Sequence, residues 1–373
     1  MSLKENKISS KNITLVLTHQ CNLRCIYCYE KHKDDQTMSI EKAKEIVDYE
    51  LTLDDGIPFV EIDLFGGEPL LEFDTVRALI EYTAQREYPK DYIFFITTNG
   101  VLLDEERKAW LRANTDRLQL GLSLDGHREM HNLNRGNSFD KIDLAFFRDV
   151  YPEETVKMTI SDRTLPMLAD GVRFCHEFGF EVSCNLAYGI DWDKEANKRI
   201  FEEQLMRLIE YYIENPQVKP CALLDINRLK SLAREQECGG RYCGAGYAMR
   251  AYDFDGTCYP CQHFLPLSVG EEKAKQSLTI DFSTEALDKN EPIEQCAKCA
   301  IRNVCPTCYG NNFAATGNVK MRDLRLCELN KIQFKAIAYF AAKRFENGQF
   351  GEFSKPDMAA ILKSALFVSE ALS

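Results

Sequence analysis

The sequence predicts an α/β fold, a partial (β/α)6 barrel followed by a small cysteine-rich domain and C-terminal helices. Three observations predict it. Six apolar, β-branched runs recur in the first half of the chain, and each is followed by a helix-like stretch. Polar or glycine-rich residues follow several of the strands directly, which is where parallel α/β folds place their chemistry. Near Asn215-Pro216 the alternation stops, and cysteines crowd the remaining sequence instead.

The strand candidates are Ile13–Thr18, Val60–Phe65, Tyr92–Thr97, Leu118–Leu124, Val156–Ile160 and Val182–Ala187. Helices are expected at Ser39–Leu51, Thr75–Arg86, Asp104–Ala113, Phe139–Val150, Leu165–Phe178 and Lys194–Glu214. Ser39 and Asp104 are residues that cap helix N-termini. Strand alternating with helix implies parallel strands joined by right-handed crossovers. Six units fall short of the eight that close a full barrel, so an open one is expected. Leu329–Phe345 and Lys355–Leu372 read as two amphipathic helices at the end.

Formal charge is −12, with no dense Lys/Arg run, which argues against nucleic acid as a partner. The apolar run Ile13–Leu17 is too short for a signal peptide, and nothing approaches a membrane span. A cytoplasmic protein without a membrane partner is expected. Its 15 cysteines are therefore expected to be reduced, and their clustering points to metal.

Cys21, Cys25 and Cys28 are spaced CxxxCxxC. Three thiolates on a four-iron cubane leave one iron open, and that iron can chelate the adjacent amine and carboxylate of an amino acid such as methionine. A zinc knuckle borrowing His19 or His32 is the alternative. Three rim motifs accompany the triplet: Phe65-Gly66-Gly67-Glu68-Pro69, Thr97-Thr98-Asn99-Gly100 and Ser123-Leu124-Asp125-Gly126.

With Tyr27 just before its last cysteine, the triplet resembles that of the radical S-adenosylmethionine superfamily, and the resemblance covers most of residues 12–190. It implies reductive cleavage of S-adenosylmethionine to methionine and a 5′-deoxyadenosyl radical, which takes a hydrogen atom from an unactivated carbon. Gly66, Gly67 and Glu68 match the family's GGEP motif, which holds the cosubstrate's amine. Ser123 and Asp125 match ribose-binding positions, and Arg135 would hold the methionine carboxylate. Asn99 and Leu186 match positions lining the adenosine, although Leu186 reads equally well as barrel core.

Cys243-x12-Gly256-x4-Cys261, then Cys296-x2-Cys299-x5-Cys305-x2-Cys308 and finally Cys327, resemble the SPASM domain, which binds two auxiliary [4Fe–4S] clusters. One gap departs from its pattern, with two residues rather than three before Cys308. The resemblance implies three [4Fe–4S] clusters in all. Cys238, Cys243, Cys261 and Cys308 would hold the first auxiliary cluster, with Cys258 as an alternative to Cys238. Cys296, Cys299, Cys305 and Cys327 would hold the second; a zinc ribbon over Cys296–Cys308 is the competing reading. Residues 1–215 then form the barrel domain, 216–235 a linker, 236–328 the SPASM domain and 329–373 the terminal helices. Cys175, Cys184 and Cys221 carry no assigned role.

SPASM-containing relatives mostly act on peptides or proteins. The branch that oxidises a sulfatase cysteine or serine to formylglycine places an aspartate base after Tyr-Pro-Cys. Here Gln262 follows Tyr259-Pro260-Cys261 and cannot accept a proton at neutral pH. Maturation of a ribosomally made peptide, through a thioether or carbon–carbon cross-link, is therefore the leading expectation. No general base is named, and His263 is read as an acid/base or a cluster-shell residue. Expected partners are a precursor peptide or protein, a reductant such as flavodoxin or ferredoxin, and a separate leader-binding protein.

Overall fold

The computed structural model describes residues 9–233, 243–283, 286–287 and 294–372. The chain forms two compact units, each assembled from separate stretches of sequence. The first takes in the described residues of Met1–Ser123, Ser138–Glu154 and Cys243–Ala286, and the second those of Leu124–Asn137, Thr155–Tyr242 and Leu287–Ser373.

In the first unit, β1 (Ser10–Thr18), β2 (Phe59–Gly66), β3 (Asp91–Thr98) and β4 (Leu118–Leu122) alternate with α1 (Ile40–Thr52), α2 (Phe73–Ala84) and α3 (Glu105–Arg112). The four strands run parallel, with Ile13 paired to Ile62, Ile62 to Phe94 and Phe95 to Gln119. Successive residues Leu15, Val16 and Leu17 are all buried, so β1 is covered on both faces, as befits an inner strand of a parallel sheet. Ser39 accepts a hydrogen bond from the Lys42 amide and Asp104 one from the Arg107 amide, so both expected caps form.

The sheet runs beyond the expected strands. A strand β7 (Met249–Tyr252) lies parallel to β1, with Leu15 paired to Tyr252, and β8 (Cys258–Tyr259) is antiparallel to β7. The order is thus β4-β3-β2-β1-β7-β8. A strand from the cysteine-rich sequence covers the edge that β1 would otherwise expose. Behind this edge, Lys11, Arg250 and Tyr252 all contact the buried Glu50 carboxylate.

In the second unit, β5 (Val156–Ile160) and β6 (Val182–Leu186) form a parallel pair. A helix that the sequence pattern does not predict, α4 (Arg128–Arg135), ends at Gly136, whose φ of 67° suits a left-handed cap. In the first unit, α5 (Leu144–Val150) replaces part of the longer helix expected from Phe139. α6 (Leu168–Phe178) and α7 (Glu195–Glu214) follow β5 and β6 as expected. The stretch read as a linker carries α8 (Asn227–Ala233) and buries Cys221, Leu223, Leu224 and Leu229. The terminal helices Cys327–Glu346 and Lys355–Ala371 pack together, the first against α7 and the second against α8. Among the described residues, no helix is long and apolar enough to cross a membrane.

Candidate functional site

In the first unit the ends of β1, β2 and β3 converge on the cysteine loop. Between Val16 and Thr18 the register of β1 shifts, bringing Thr18 opposite Gly66. The Gly67 amide then donates to the Thr18 carbonyl and the Glu68 amide to the Gln20 carbonyl, at 3.0 and 2.9 Å. A Cβ on Gly66 would lie 2.2 Å from the Thr18 oxygen, and one on Gly67 2.3 Å from the Gln20 oxygen. Both glycines are thus required by the protein's own backbone, immediately before Cys21.

Glu68 is buried, and both carboxylate oxygens have partners on the end of β3. The Thr98 hydroxyl donates to Oε1 at 2.6 Å and the Asn99 amide to Oε2 at 2.8 Å. Oε1 also accepts from the Leu70 amide. Asn99 in turn donates its side-chain amide to Oδ1 of Asn22, inside the cysteine loop, at 2.7 Å. Sequence reasoning assigns Asn22 and Thr98 no role of their own, although Thr98 belongs to a rim motif and Asn22 adjoins Cys21. Ser123 donates its amide to the Thr98 carbonyl at 2.8 Å.

Around the triplet, the Leu23 amide donates to Cys21 Sγ at 3.4 Å, and Lys33 Nζ lies 3.1 Å from Cys28 Sγ. Burial pushes the Cys21 thiol up to about 12, against the Leu23 N–H that favours its anion. Tyr27 is half-buried in the same loop. His19, just upstream, is buried with its ring nitrogens 2.8 Å from Asp34 and 2.7 Å from Asp253. Cys261 is buried, Cys243 and Cys258 are exposed, and Cys238 lies outside the described residues. His263 packs on Tyr29 with ring centroids 4.5 Å apart, and burial lowers its pKa to about 4, so it is neutral at pH 7.

The second unit contains Asp125 and Arg135, which meet each other. Arg135 Nε lies 2.9 Å from Asp125 Oδ2 and Nη2 3.3 Å from Oδ1, and the carboxylate is fully buried. Asn134 and the Thr159 amide also donate to Asp125, at 3.0 and 2.9 Å. Arg135 is the last residue of α4 rather than a loop residue, and only 7% of it is exposed.

The same unit holds a cavity of about 320 Å³ lined by Cys296, Cys299, Cys305, Cys308 and Cys327, with Leu186 and Cys184 on its wall. The cavity thus brings Cys308, expected with the first auxiliary cluster, together with the four cysteines expected to hold the second. Burial pushes the Cys305 thiol up to about 11, with Arg322 opposing. The Asn311 amide donates to Cys308 Sγ at 3.4 Å, and Asn330 Nδ2 lies 3.8 Å from Cys305 Sγ.

Sulfur donors that burial keeps protonated on their own, yet that face N–H donors, fit a bound cation able to ionise them. Among the described residues, no group of three or more His, Cys, Asp or Glu is placed to hold a metal ion. The donor chemistry of the triplet and of the cavity, cysteine sulfur throughout, is that of iron–sulfur ligation.

Comparison with known proteins agrees with this chemistry. Residues 15–146 match the Radical SAM superfamily. The chain is 25% identical over 379 residues to the Fe-coproporphyrin III synthase of Methanosarcina barkeri, covering 87% of this chain and 89% of that one. It is 23% identical over 319 residues to the cysteine-type anaerobic sulfatase-maturating enzyme of Clostridium perfringens, covering 76% and 84%. In structure it resembles a histidine-tagged anSMEcpe with bound AdoMet, with a TM-score of 0.70 at 20% identity over 95% of this chain and 98% of that one. It also resembles Streptococcus suis SuiB bound to precursor peptide SuiA, with a TM-score of 0.55 at 18% identity over 86% and 77%.

Proposed function

We propose that this chain, which is similar to radical SAM enzymes and shares the fold of anSMEcpe, takes a hydrogen atom from a peptide or protein substrate and forms a thioether or carbon–carbon cross-link in it. The observation that carries this reading is the fold it shares both with an AdoMet-bound sulfatase maturase and with SuiB bound to its precursor peptide. Cys21, Cys25 and Cys28 would hold a cluster that, with S-adenosylmethionine bound, would supply that cosubstrate's reductive cleavage.

The chain's own residues position and enclose that chemistry. Gly66 and Gly67 let the β2 end close onto the backbone ahead of Cys21, Glu68 ties that end to Thr98 and Asn99, and Asn99 braces the loop from the end of β3. Tyr27 and Ser123, in the first unit, are the proposed contacts to the cosubstrate. In the second unit, Asp125 and Arg135 hold each other. Cys296, Cys299, Cys305 and Cys327 hold an auxiliary cluster in the cavity they line, and a further one falls to other cysteines of the C-terminal region.

Gln262 supports cross-linking over formylglycine formation, because its amide cannot take up the proton that an aspartate at this position would. Formation of an iron porphyrin from a tetrapyrrole precursor is the second reading, supported by similarity to Fe-coproporphyrin III synthase over 87% of the chain.

The test is anaerobic turnover, with S-adenosylmethionine and dithionite, of short peptides encoded beside the gene and carrying deuterium on their side chains. Deuterium in 5′-deoxyadenosine together with loss of two hydrogen atoms from a peptide supports cross-linking. Formylglycine in a sulfatase-type cysteine peptide transfers the enzyme to sulfatase maturation. Formation of Fe-coproporphyrin III from a tetrapyrrole precursor, with the peptides left unchanged, favours the second reading.

A further inference from the structure

Lys33 lies five residues beyond the triplet and belongs to no motif. Its ammonium is held at three points: 3.1 Å from Cys28 Sγ, 2.7 Å from the Glu30 carbonyl and 3.2 Å from the Glu30 carboxylate. The Glu30 side chain is 8% exposed and that of Lys33 26%, so solvent screens this arrangement only in part. A surface lysine would retain freedom about its four-carbon stem; here the carbonyl and carboxylate hold the charge against one sulfur.

We propose that Lys33 sets the reduction potential of the triplet's cluster by donating a charge-assisted hydrogen bond to the Cys28 thiolate. The inference rests on the reading of the triplet as a cluster site and goes beyond it, assigning a role to a residue outside the ligand set. The step is one-electron: the cluster gains an electron from an external low-potential reductant, dithionite in the test, and becomes more negative by one charge. A fixed cation and a hydrogen bond at the ligand sulfur both favour the more negative state, so they raise the potential. Lys33 therefore makes the cluster easier to reduce, in a reaction that begins with its reduction. Since no bond to Lys33 forms or breaks, it is a positioning and tuning residue.

The experiment is a redox titration of the reconstituted full chain, followed by the electron paramagnetic resonance signal of the triplet's cluster. The auxiliary clusters serve as internal references, and a protein with all other ligand cysteines intact but Cys25→Ala identifies which signal belongs to the triplet. In Lys33→Met the ratio of reduced to oxidised cluster at a fixed poise should fall about tenfold, equivalent to a downward shift of about 59 mV for one electron. Lys33→Arg, which keeps the charge, should recover most of it, and the auxiliary signals should not move. An unchanged midpoint in Lys33→Met, or an equal shift in all signals, overturns the proposal.

A second measurement does not depend on a variant folding. Wild-type protein labelled with ¹⁵N-lysine should show a ¹⁵N hyperfine coupling on the reduced triplet cluster, and its absence also overturns the proposal. A protein that binds no iron at the triplet would sink the cluster reading itself, a result separable from an unmoved potential.

Discussion

The side-chain amide of Asn99 donates to the side-chain carbonyl of Asn22 across 2.7 Å, tying the end of β3 to the loop that carries Cys21, Cys25 and Cys28. Neither residue is a ligand by its chemistry in this pair; each fixes where the ligands stand. A neutral hydrogen bond contributes on the order of 1 kcal/mol to stability. Asn99→Ala and Asn22→Ala should each lower the urea midpoint by a comparable small amount and reduce iron bound at the triplet. The double variant should be little worse than Asn99→Ala, because the Asn22 bond is already gone there; Asn99→Ala also removes the acceptor of the Val101 amide. Additive losses in urea melts would show that the two do not act together.

Gly67 has no room for a side chain, with a Cβ falling 2.3 Å from the Gln20 carbonyl oxygen. That oxygen is backbone and accepts the Glu68 amide, so relief requires moving the strand end. Overpacking of this kind typically costs about 1–3 kcal/mol. Gly67→Ala should depress the melting temperature and lose triplet iron together, whereas Gly351→Ala, at a site where the added Cβ meets nothing within 4 Å, should leave iron content unchanged. Iron analysis and thermal melts on the two variants check this.

The Asp125–Arg135 pair makes an asymmetric prediction. Removing Arg135 leaves a fully buried carboxylate with its main countercharge gone, and such losses cost about 3–5 kcal/mol. Asn134 and Thr159 still donate to it, which places Arg135→Leu toward the lower end. The double variant Asp125→Asn/Arg135→Leu should recover much of that loss. Denaturant titrations of the three proteins measure it.

His131 gives a pH signature. It is fully buried, the Asp125 amide donates to its Nδ1, and burial, assisted by the Arg135 charge, lowers its pKa to about 4. The unfolded side chain titrates near 6.5. Between these values the unfolded chain binds a proton that the folded one does not, so stability falls as pH drops from about 6.5 to 4. At most, one such group contributes about 1.4 kcal/mol per pH unit. His131→Asn, which keeps an acceptor for the Asp125 amide, should flatten the acid limb by close to one proton. His176, also lowered by burial, should keep part of the slope in place. An unaltered slope in His131→Asn would contradict the assignment.

Much of this is legible in the sequence, for identifiable reasons. The strands and helices of the first half announce themselves through β-branched runs and caps, and the observed ends differ from the expected ones by a few residues. The family pattern separates Cys308 from Cys296, Cys299, Cys305 and Cys327, whereas all five line one cavity. Gly66 and Gly67 stand out in the sequence for a different reason than the structure gives, since the close approach they permit is to the chain's own backbone.

Other features have no local signal. β7 is four residues long and pairs with a strand more than 230 residues earlier, a contact that no periodicity encodes. α4 is mostly polar, with Met130 and Leu133 its apolar residues, so Arg135 reads as a loop residue. Lys33 and Asn22 act through hydrogen bonds that depend on tertiary placement.

The most direct test of the central claim is the anaerobic reaction of cluster-loaded protein with S-adenosylmethionine and dithionite, with 5′-deoxyadenosine quantified by chromatography. The expected result is 5′-deoxyadenosine formed in equal amount with methionine, and lost in Cys25→Ala while the cavity cluster remains. Cluster-loaded wild-type protein that releases no 5′-deoxyadenosine would contradict it.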